Sequence, residues 1–142
     1  MRSFRVSSVV DAGPDAVWAR ATTIDGVNAE LWPLVRMTGE GEIGVGALGR
    51  SWILLGGVLP IDYDDICLEA VEPGRGFRER SRMGSCSAWH HDRTLVPLPA
   101  GGTRVIDAIA FAPRLPALGG LMAFLFELTF RWRHRRLRRL WR

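Results

Sequence analysis

Four ionisable side chains in the second half of the chain have the residue types that acid–base chemistry requires. They are Glu79, His91, Arg93 and Asp107. A histidine beside a carboxylate can donate or accept a proton near neutral pH, and an arginine can bind a carboxylate or stabilise an enolate. If the four side chains converge, they can carry out general acid–base catalysis or recognise the polar end of a ligand.

Alternation along the predicted strands indicates whether these side chains converge, because successive side chains of a strand point to opposite faces. In residues 77–83, three arginines at alternate positions share one face, and we expect that face to be exposed to water. Glu79 is on the opposite face and therefore points inward. On each of the next two predicted strands, one face carries an aromatic residue. That face contains Trp89, His91, Arg93 and Leu95 on the first of these strands, and Val105, Asp107, Ile109 and Phe111 on the second. If Trp89 and Phe111 mark the inner face, all four ionisable side chains point inward.

Two interpretations of this inner polar patch remain open. In the first, Glu79 pairs with Arg93, or Asp107 with His91, and the pairs only brace the sheet, since buried charges are costly unless they are paired. In the second, the same groups are the few polar contacts of a mainly apolar ligand pocket.

Other kinds of site find little support in the sequence. His90 and His91 are adjacent on a predicted strand and point to opposite faces, so they cannot share a metal ion. The glycines of residues 39–49 are not followed by a helix, and Ser85 and Ser87 lack the context of a nucleophile elbow. We therefore expect neither a metal nor a cofactor.

The elements that must position these residues follow a specific order. A strand at residues 4–10 precedes a helix that opens at Pro14 and a helical piece at 24–35. Strands then follow near residues 42–45 and at 50–55, 61–71, 77–83, 86–96 and 103–111, before a helix at 115–142. Short connections and segregated helices are typical of an α+β domain with an antiparallel sheet. We expect a single domain over residues 1–142.

The last helix is predicted to have one buried face and one exposed face. At 100° per residue the apolar side contains Leu118, Leu121, Met122, Leu125, Leu128, Thr129 and Trp132, and the opposite side contains Glu127, Arg131, His134 and Arg138. Glu127 and Arg131 are spaced for a surface ion pair. The apolar stretch at 115–130 is shorter than the roughly 20 residues that span a bilayer, so we expect no transmembrane segment.

The formal charge of +4 is unevenly distributed. Residues 131–142 carry seven arginines, or +7, whereas residues 1–130 carry twelve arginines and all fifteen acids, or −3. The body therefore has no broad basic face for nucleic acid. The arginine-rich end has two interpretations, a solvated helix terminus or a docking site for an anionic membrane surface or an acidic partner.

The cysteines indicate the cellular compartment. Cys67 and Cys86 are the only two, and they lack a metal-ligand spacing. Without an apolar signal segment at the start of the sequence, we expect reduced thiols and a cytoplasmic protein.

Several short stretches resemble the SRPBCC superfamily. They are Gly57-Val58-Leu59-Pro60, Glu79-Arg80-Ser81, Trp89-His90-His91-Asp92-Arg93-Thr94-Leu95, Gly102-Thr103-Arg104-Val105-Ile106-Asp107 and Arg133-His134-Arg135-Arg136-Leu137. This superfamily includes START-like lipid-transfer domains, the birch pollen allergen and the polyketide cyclase/dehydrase group. The resemblance implies a helix-grip fold, in which a curved seven-stranded antiparallel sheet holds the long C-terminal helix and two short helices follow the first strand.

The resemblance also implies an apolar cavity between sheet and helix. Its walls would be Trp52, Leu54, Ile66, Leu68 and Trp89, closed by Leu121, Met122 and Leu125 of the helix, with Glu79, His91, Arg93 and Asp107 as polar contacts. The leading hypothesis is the binding of a hydrophobic small molecule, such as a lipid, an isoprenoid or an aromatic polyketide-like metabolite. One alternative is a polyketide cyclase or dehydratase that uses His91 with Asp107 for acid–base work and Arg93 for an enolate. A second alternative is an interaction module that uses the arginine-rich helix.

Overall fold

The computed structural model describes residues 1–41 and 43–142, which form seven strands and three α-helices. The strands are β1 (Arg2–Val10), β2 (Val35–Met37), β3 (Gly46–Leu55), β4 (Leu59–Glu72), β5 (Gly76–Met83), β6 (Cys86–Pro97) and β7 (Thr103–Pro113). The helices are α1 (Pro14–Ala21), α2 (Ile24–Leu31) and α3 (Gly119–Leu140), and a 3₁₀ turn at Pro116–Leu118 precedes α3.

The strands form one antiparallel sheet in the order β1-β7-β6-β5-β4-β3-β2. Irregularities in the pairing of β3 with β4, β4 with β5 and β6 with β7 bend the sheet, because a bulge increases local twist and curvature. The helix α3 packs against β1, β7 and α2. The prediction of an α+β helix-grip fold is confirmed.

The alternation predicted for β5, β6 and β7 is also confirmed. The buried residues of these strands include Glu79, Ser81, Met83, Trp89, His91, Arg93, Leu95, Val105, Asp107, Ile109 and Phe111. The apolar members lie in two core clusters, one around Trp89 and Phe111 and the other around Leu95 and Val105. The helix α3 contributes Phe130 to the first cluster and Leu137 to the second.

The predicted buried face of α3 is wrong. Leu121 and Leu128 are 58% and 52% exposed, whereas His134, which was placed on the water side, is 1% exposed. The sheet buries the stripe that contains Phe126 and Phe130 instead, because the Phe126 ring packs edge-on against Trp89 and Phe111, and the Phe130 ring packs against Trp89 and His91. The pattern of leucines therefore predicted a buried face that is rotated about the helix axis from the face that packs against the sheet.

Other features predicted for the last helix fit the structure. Arg131 Nη2 lies 3.7 Å from Glu127 Oε1, so the surface ion pair is confirmed. No helix in the described part of the chain has both the length and the apolar character needed to cross a membrane.

The region between α2 and β3 also differs from the prediction. The helical piece expected at 24–35 ends at Leu31, because Pro33 cannot continue a helix. The following residues form β2, which the Asn28 side chain holds by accepting from the backbone N–H of Met37 and donating to its carbonyl oxygen. The strand predicted near 42–45 is not formed by residues 43–45, and Glu42 lies outside the described residues.

Candidate functional site

An apolar cavity of about 260 Å³ lies between the sheet, α2 and α3. Its walls include Val27 and Leu31 of α2, Ile66 and Leu68 of β4, and Leu125 of α3. The bent sheet supplies one side and the two helices supply the other, so the cavity follows from the fold itself. Such a site can hold an apolar molecule by removing its surface from water.

Four buried polar side chains meet at one part of the cavity wall. They are Asp64, Glu79, His91 and Arg133. Glu79 Oε1 lies 3.7 Å from His91 Nδ1, and the Ser81 hydroxyl donates to Glu79 Oε2 at 2.7 Å. We call this group the polar end of the cavity.

The protonation states at the polar end follow from burial and neighbouring charge. Burial and the Glu79 carboxylate raise the pKa of Asp64 to about 10, so this carboxyl group is protonated at neutral pH. Burial would raise the pKa of Glu79 as well, but its contact with His91 holds that pKa below the ordinary value. One carboxyl group is therefore neutral and the other is charged.

Arg93 lies behind the cavity wall in a buried ion-pair network. Its Nε and Nη2 donate to the two oxygens of Asp107 at 2.8 Å each, and its Nη1 and Nη2 donate to the two oxygens of Glu30 at 3.0 and 2.8 Å. Arg93 is 2% exposed and does not line the cavity among the described residues. Four of the five N–H groups of its guanidinium donate to these two carboxylates, so Arg93 holds the ion-pair network together and is not placed to bind a ligand anion.

Two histidines complete the hydrogen bonds of Asp107. His91 Nε2 donates to Oδ1 and His134 Nε2 donates to Oδ2, both at 2.7 Å. The Ser8 hydroxyl of β1 lies 2.6 Å from His134 Nδ1. Burial would lower the pKa of His91, but the Asp107 carboxylate raises it above its ordinary value. A continuous chain of hydrogen bonds thus runs from the cavity through His91 and Asp107 to β1.

The structure separates the predicted site residues into two groups. Those that line the cavity are Ile66, Leu68, Glu79, Trp89, His91 and Leu125. Those that the described cavity wall does not include are Trp52, Leu54, Arg93, Asp107, Leu121 and Met122.

The reasons for the second group differ from residue to residue. The Trp52 ring packs against Tyr63, and Ile53 next to it faces the cavity, so the face chosen for β3 was wrong. Leu54 follows a register shift in the pairing of β3 with β4. Leu121 is exposed and Met122 packs against the core cluster, as a consequence of the rotated face of α3.

The buried ionisable residues of the site that were missed from the sequence are Glu30, Asp64, Arg133 and His134. Asp64 was within reach of the same reasoning, since alternation places it on the face of Ile66 and Leu68, which were expected to form walls. Arg133 and His134 required the correct face of α3. Glu30 lies in a short helix distant in sequence from Arg93, and no local pattern connects the two.

The fold defines this molecule as a helix-grip protein, consistent with the resemblance to the SRPBCC superfamily. A family model described as Domain of unknown function (DUF8410) matches residues 8–141. The chain belongs to this family. No curated protein is significantly similar to it in sequence.

Solved structures show the same fold at low sequence identity. Protein CV1439 from Chromobacterium violaceum is similar with a TM-score of 0.76 at 17% identity, over 99% of this chain and 98% of that one. The protein Ara h 8.0201 has a TM-score of 0.61 at 14% identity, over 94% and 95% of the two chains. DynU16, from the dynemicin biosynthetic locus, has a TM-score of 0.64 at 19% identity, over 94% of this chain and 46% of that one.

Proposed function

We propose that this protein binds a hydrophobic small molecule, such as a lipid, an isoprenoid or an aromatic polyketide-like metabolite, between the sheet and α3. The observation that carries the proposal is the apolar cavity of about 260 Å³ with polar groups at one part of its wall. Its volume is close to the lower end of the roughly 300–1,000 Å³ range of small-molecule pockets, and its composition is typical of them. The free thiols of Cys67 and Cys86 support action in the cytoplasm.

Native mass spectrometry of the purified protein, followed by organic extraction, tests this proposal. We expect a stoichiometric apolar ligand, or saturable binding from a panel of lipids, isoprenoids and aromatic compounds. Ile66→Trp should abolish binding by filling the cavity, whereas Glu69→Trp, on an exposed position of the same strand, should leave it unchanged. Absence of binding across the whole panel in the folded protein would contradict the proposal.

An enzymatic role is the second candidate, and the exposure of His91 to the cavity favours it. His91 faces the cavity while Asp107 holds it from behind, the arrangement in which a carboxylate orients a histidine for proton transfer. In this version Arg93 positions Asp107 and has no contact with an enolate. A cyclase or dehydratase would lose turnover in His91→Gln but retain ligand affinity, while His90→Gln serves as the control. Unchanged turnover in His91→Gln would exclude this role for the histidine.

Docking to an anionic membrane surface is the third candidate. Arg131, Arg135, Arg138, Arg139 and Arg142 are exposed, and the first half of the same helix exposes Leu121, Phe124, Leu125 and Leu128. Exposed apolar side chains beside arginines are the combination that binds anionic lipid surfaces. We expect sedimentation with liposomes that contain phosphatidylserine, and a clear loss on changing Arg135, Arg138 and Arg139 to serine. Equal sedimentation of the variant would exclude this use of the helix.

A further inference from the structure

The outward face of the sheet, on the side opposite the cavity, carries an excess of positive charge. On β1, β7, β6 and β5, which are neighbours in this order, the outward positions hold five arginines and one acid. The arginines are Arg5, Arg78, Arg80, Arg82 and Arg104, and the acid is Asp92. We call the outward positions of these four strands the basic face.

The formal charge of residues 1–130 does not reveal this face. That charge is −3, from which no broad basic face was expected. Four of the acids are buried, however, and so is one arginine, namely Glu30, Asp64, Glu79, Asp107 and Arg93. Without these five residues the same part of the chain has eleven arginines and eleven acids. Its surface is therefore not acidic, and five of the eleven arginines lie together on the basic face.

Most of these arginines are available to an anion from solution. Arg80 is the exception, because it donates to Asp92 at 2.7 Å and lies 3.7 Å from Glu69 of β4. Arg78 is 3.9 Å from the same Asp92, and its side chain is 54% exposed. Three arginines form no ion pair in the described part of the chain, namely Arg5, Arg82 and Arg104. An anion can bind these cations without displacing a carboxylate.

A shallow groove of about 380 Å³ lies on the basic face. Its floor includes Ala108 and Ala110 of β7, and their small side chains leave room between Arg5 on one side and Arg80 with His90 on the other. From β1 to β5 there are three strand spacings, or about 14 Å. The groove is therefore wide enough for an extended chain, and cations lie on both of its sides.

Two aromatic rings border the basic face on the side of β3 and β4. Trp52 is 43% exposed, and its ring packs edge-on against that of Tyr63. Arg82 is paired across the strands with Asp65, which accepts two hydrogen bonds from Arg50 at 2.8 and 3.1 Å. The Arg50 guanidinium group lies 3.7 Å from the centre of the Tyr63 ring. An exposed indole ring is thus within a few residues of the arginines of β5.

We infer that the basic face binds single-stranded nucleic acid, with phosphates on its arginines and a base stacked on Trp52. Arginine can bind a phosphate through two parallel hydrogen bonds, and an exposed aromatic ring stacks on any base. An acidic peptide would meet the same charges, but it would leave the exposed indole ring without a role. This binding goes beyond the proposed function and does not depend on it, because the cavity lies on the other side of the sheet.

Fluorescence anisotropy with a labelled oligodeoxythymidine of about twelve nucleotides tests the inference on the intact protein. Four arginines that each neutralise one phosphate give a slope of about −2.8 in a plot of log association constant against log salt concentration. Binding should therefore be about 50-fold weaker at roughly 200 mM than at roughly 50 mM NaCl. A duplex of the same length should bind more weakly, since its bases are already stacked on one another.

Two double variants that remove the same charge provide the matched comparison. Changing Arg5 and Arg82 to serine should make the salt slope shallower by about 1.4, because two phosphate contacts are lost. Changing Arg138 and Arg139 to serine, at exposed positions of α3, should leave the slope unchanged. All four positions are exposed, so both variants should fold.

A second pair of variants tests the stacking of a base. Trp52→Leu should weaken binding about tenfold without changing the salt slope, because it removes a stacking contact and no charge. Trp32→Leu serves as the control, since Trp32 is 51% exposed but lies at the end of α2, away from the basic face. We expect its affinity to equal that of the wild type.

Several outcomes would overturn the inference. Absence of binding to the single strand at low salt would do so directly. Tighter binding of the duplex, or an unchanged affinity in Trp52→Leu, would exclude recognition of a single strand by stacking. Displacement of the labelled strand by oligoglutamate at equal charge would indicate that the face recognises an acidic protein. A larger effect of the Arg138 and Arg139 variant would place the site on α3.

Discussion

Asp107 is the residue on which the buried charges depend. It is fully buried, and it accepts two hydrogen bonds from Arg93 and one each from His91 and His134. Burial raises the pKa of a carboxyl group, but Arg93 and His91 hold the pKa of Asp107 well below its ordinary value. The residue therefore stays charged inside the core, where loss of a partner is costly.

Replacing Arg93 tests that dependence. Arg93→Met leaves Asp107 and Glu30 without their main cation, and we expect a loss of about 3–5 kcal/mol in the free energy of unfolding. Urea denaturation followed by tryptophan fluorescence gives this value. Arg82→Met, on the exposed face of β5, should change it by less than about 0.5 kcal/mol. Equal effects of the two substitutions would show that the buried ion-pair network contributes no more to the free energy of unfolding than an exposed arginine does.

Asp64 makes the stability depend on pH. The groups that act on it are Glu79 and Ser81 of β5 and Asp62 of its own strand. Its pKa is raised from 3.8 to about 10, so between these values the folded state binds a proton that the unfolded state has released. The stability that this group contributes is complete below pH 4 and is lost as the pH rises towards 10, at about 1.4 kcal/mol per pH unit.

The Asp64→Asn variant isolates this contribution from that of other groups. We expect wild type and variant to differ little near pH 4 and the variant to become progressively more stable relative to wild type up to pH 9. Urea denaturation at one-unit intervals measures the difference. A constant difference over this range would mean that Asp64 is ionised in the folded protein.

The alternation of side chains along the strands predicted the positions of some of these residues and not of others. The inward direction of Glu79, His91, Arg93 and Asp107 follows from alternation, which depends only on neighbouring residues. The pairing of Arg93 with Glu30 joins positions 63 residues apart, and strand alternation contains no information about it. The sequence therefore predicted the inner face but not the partners that occupy it.

At the level of elements, α3 shows how a correct helix can be assigned the wrong face. The helix and its approximate ends were predicted, since an apolar and charged pattern of this length is distinctive. Its orientation is decided by the aromatic rings of the sheet, which pack against Phe126 and Phe130 and leave leucines exposed. Counting leucines cannot detect that preference, because it depends on the shape of the opposite surface.

Two substitutions in α3 distinguish the two faces. Phe130 is 5% exposed and contacts Phe4, Trp89 and His91, so Phe130→Ala should lower the free energy of unfolding by about 3–5 kcal/mol. Leu121→Ala, on an exposed position, should change it by less than about 0.5 kcal/mol. Thermal and urea denaturation of both variants provide the measurement. A larger loss for Leu121→Ala would support the face predicted from the leucines.

At the level of the whole molecule, the two ends of the chain meet on one part of the sheet. The strand β1 pairs with β7 along residues 2–10 and 103–111, and α3 packs against both. The order of elements was enough to predict this architecture, because short connections between successive strands leave few other arrangements. The cavity volume was beyond prediction, since it depends on which face of α3 turns towards the sheet.

The position of the Arg93 ion pairs behind the cavity wall has a consequence for how such proteins diversify. Glu30, Arg93 and Asp107 lie behind the wall, while the apolar surface that a ligand would touch comes from α2, β4 and α3. Substitutions at wall positions such as Val27 or Ile66 can reshape the cavity without disturbing a buried charge. Natural variation and protein engineering can therefore change the shape of the cavity on this scaffold while the framework that keeps it folded stays the same.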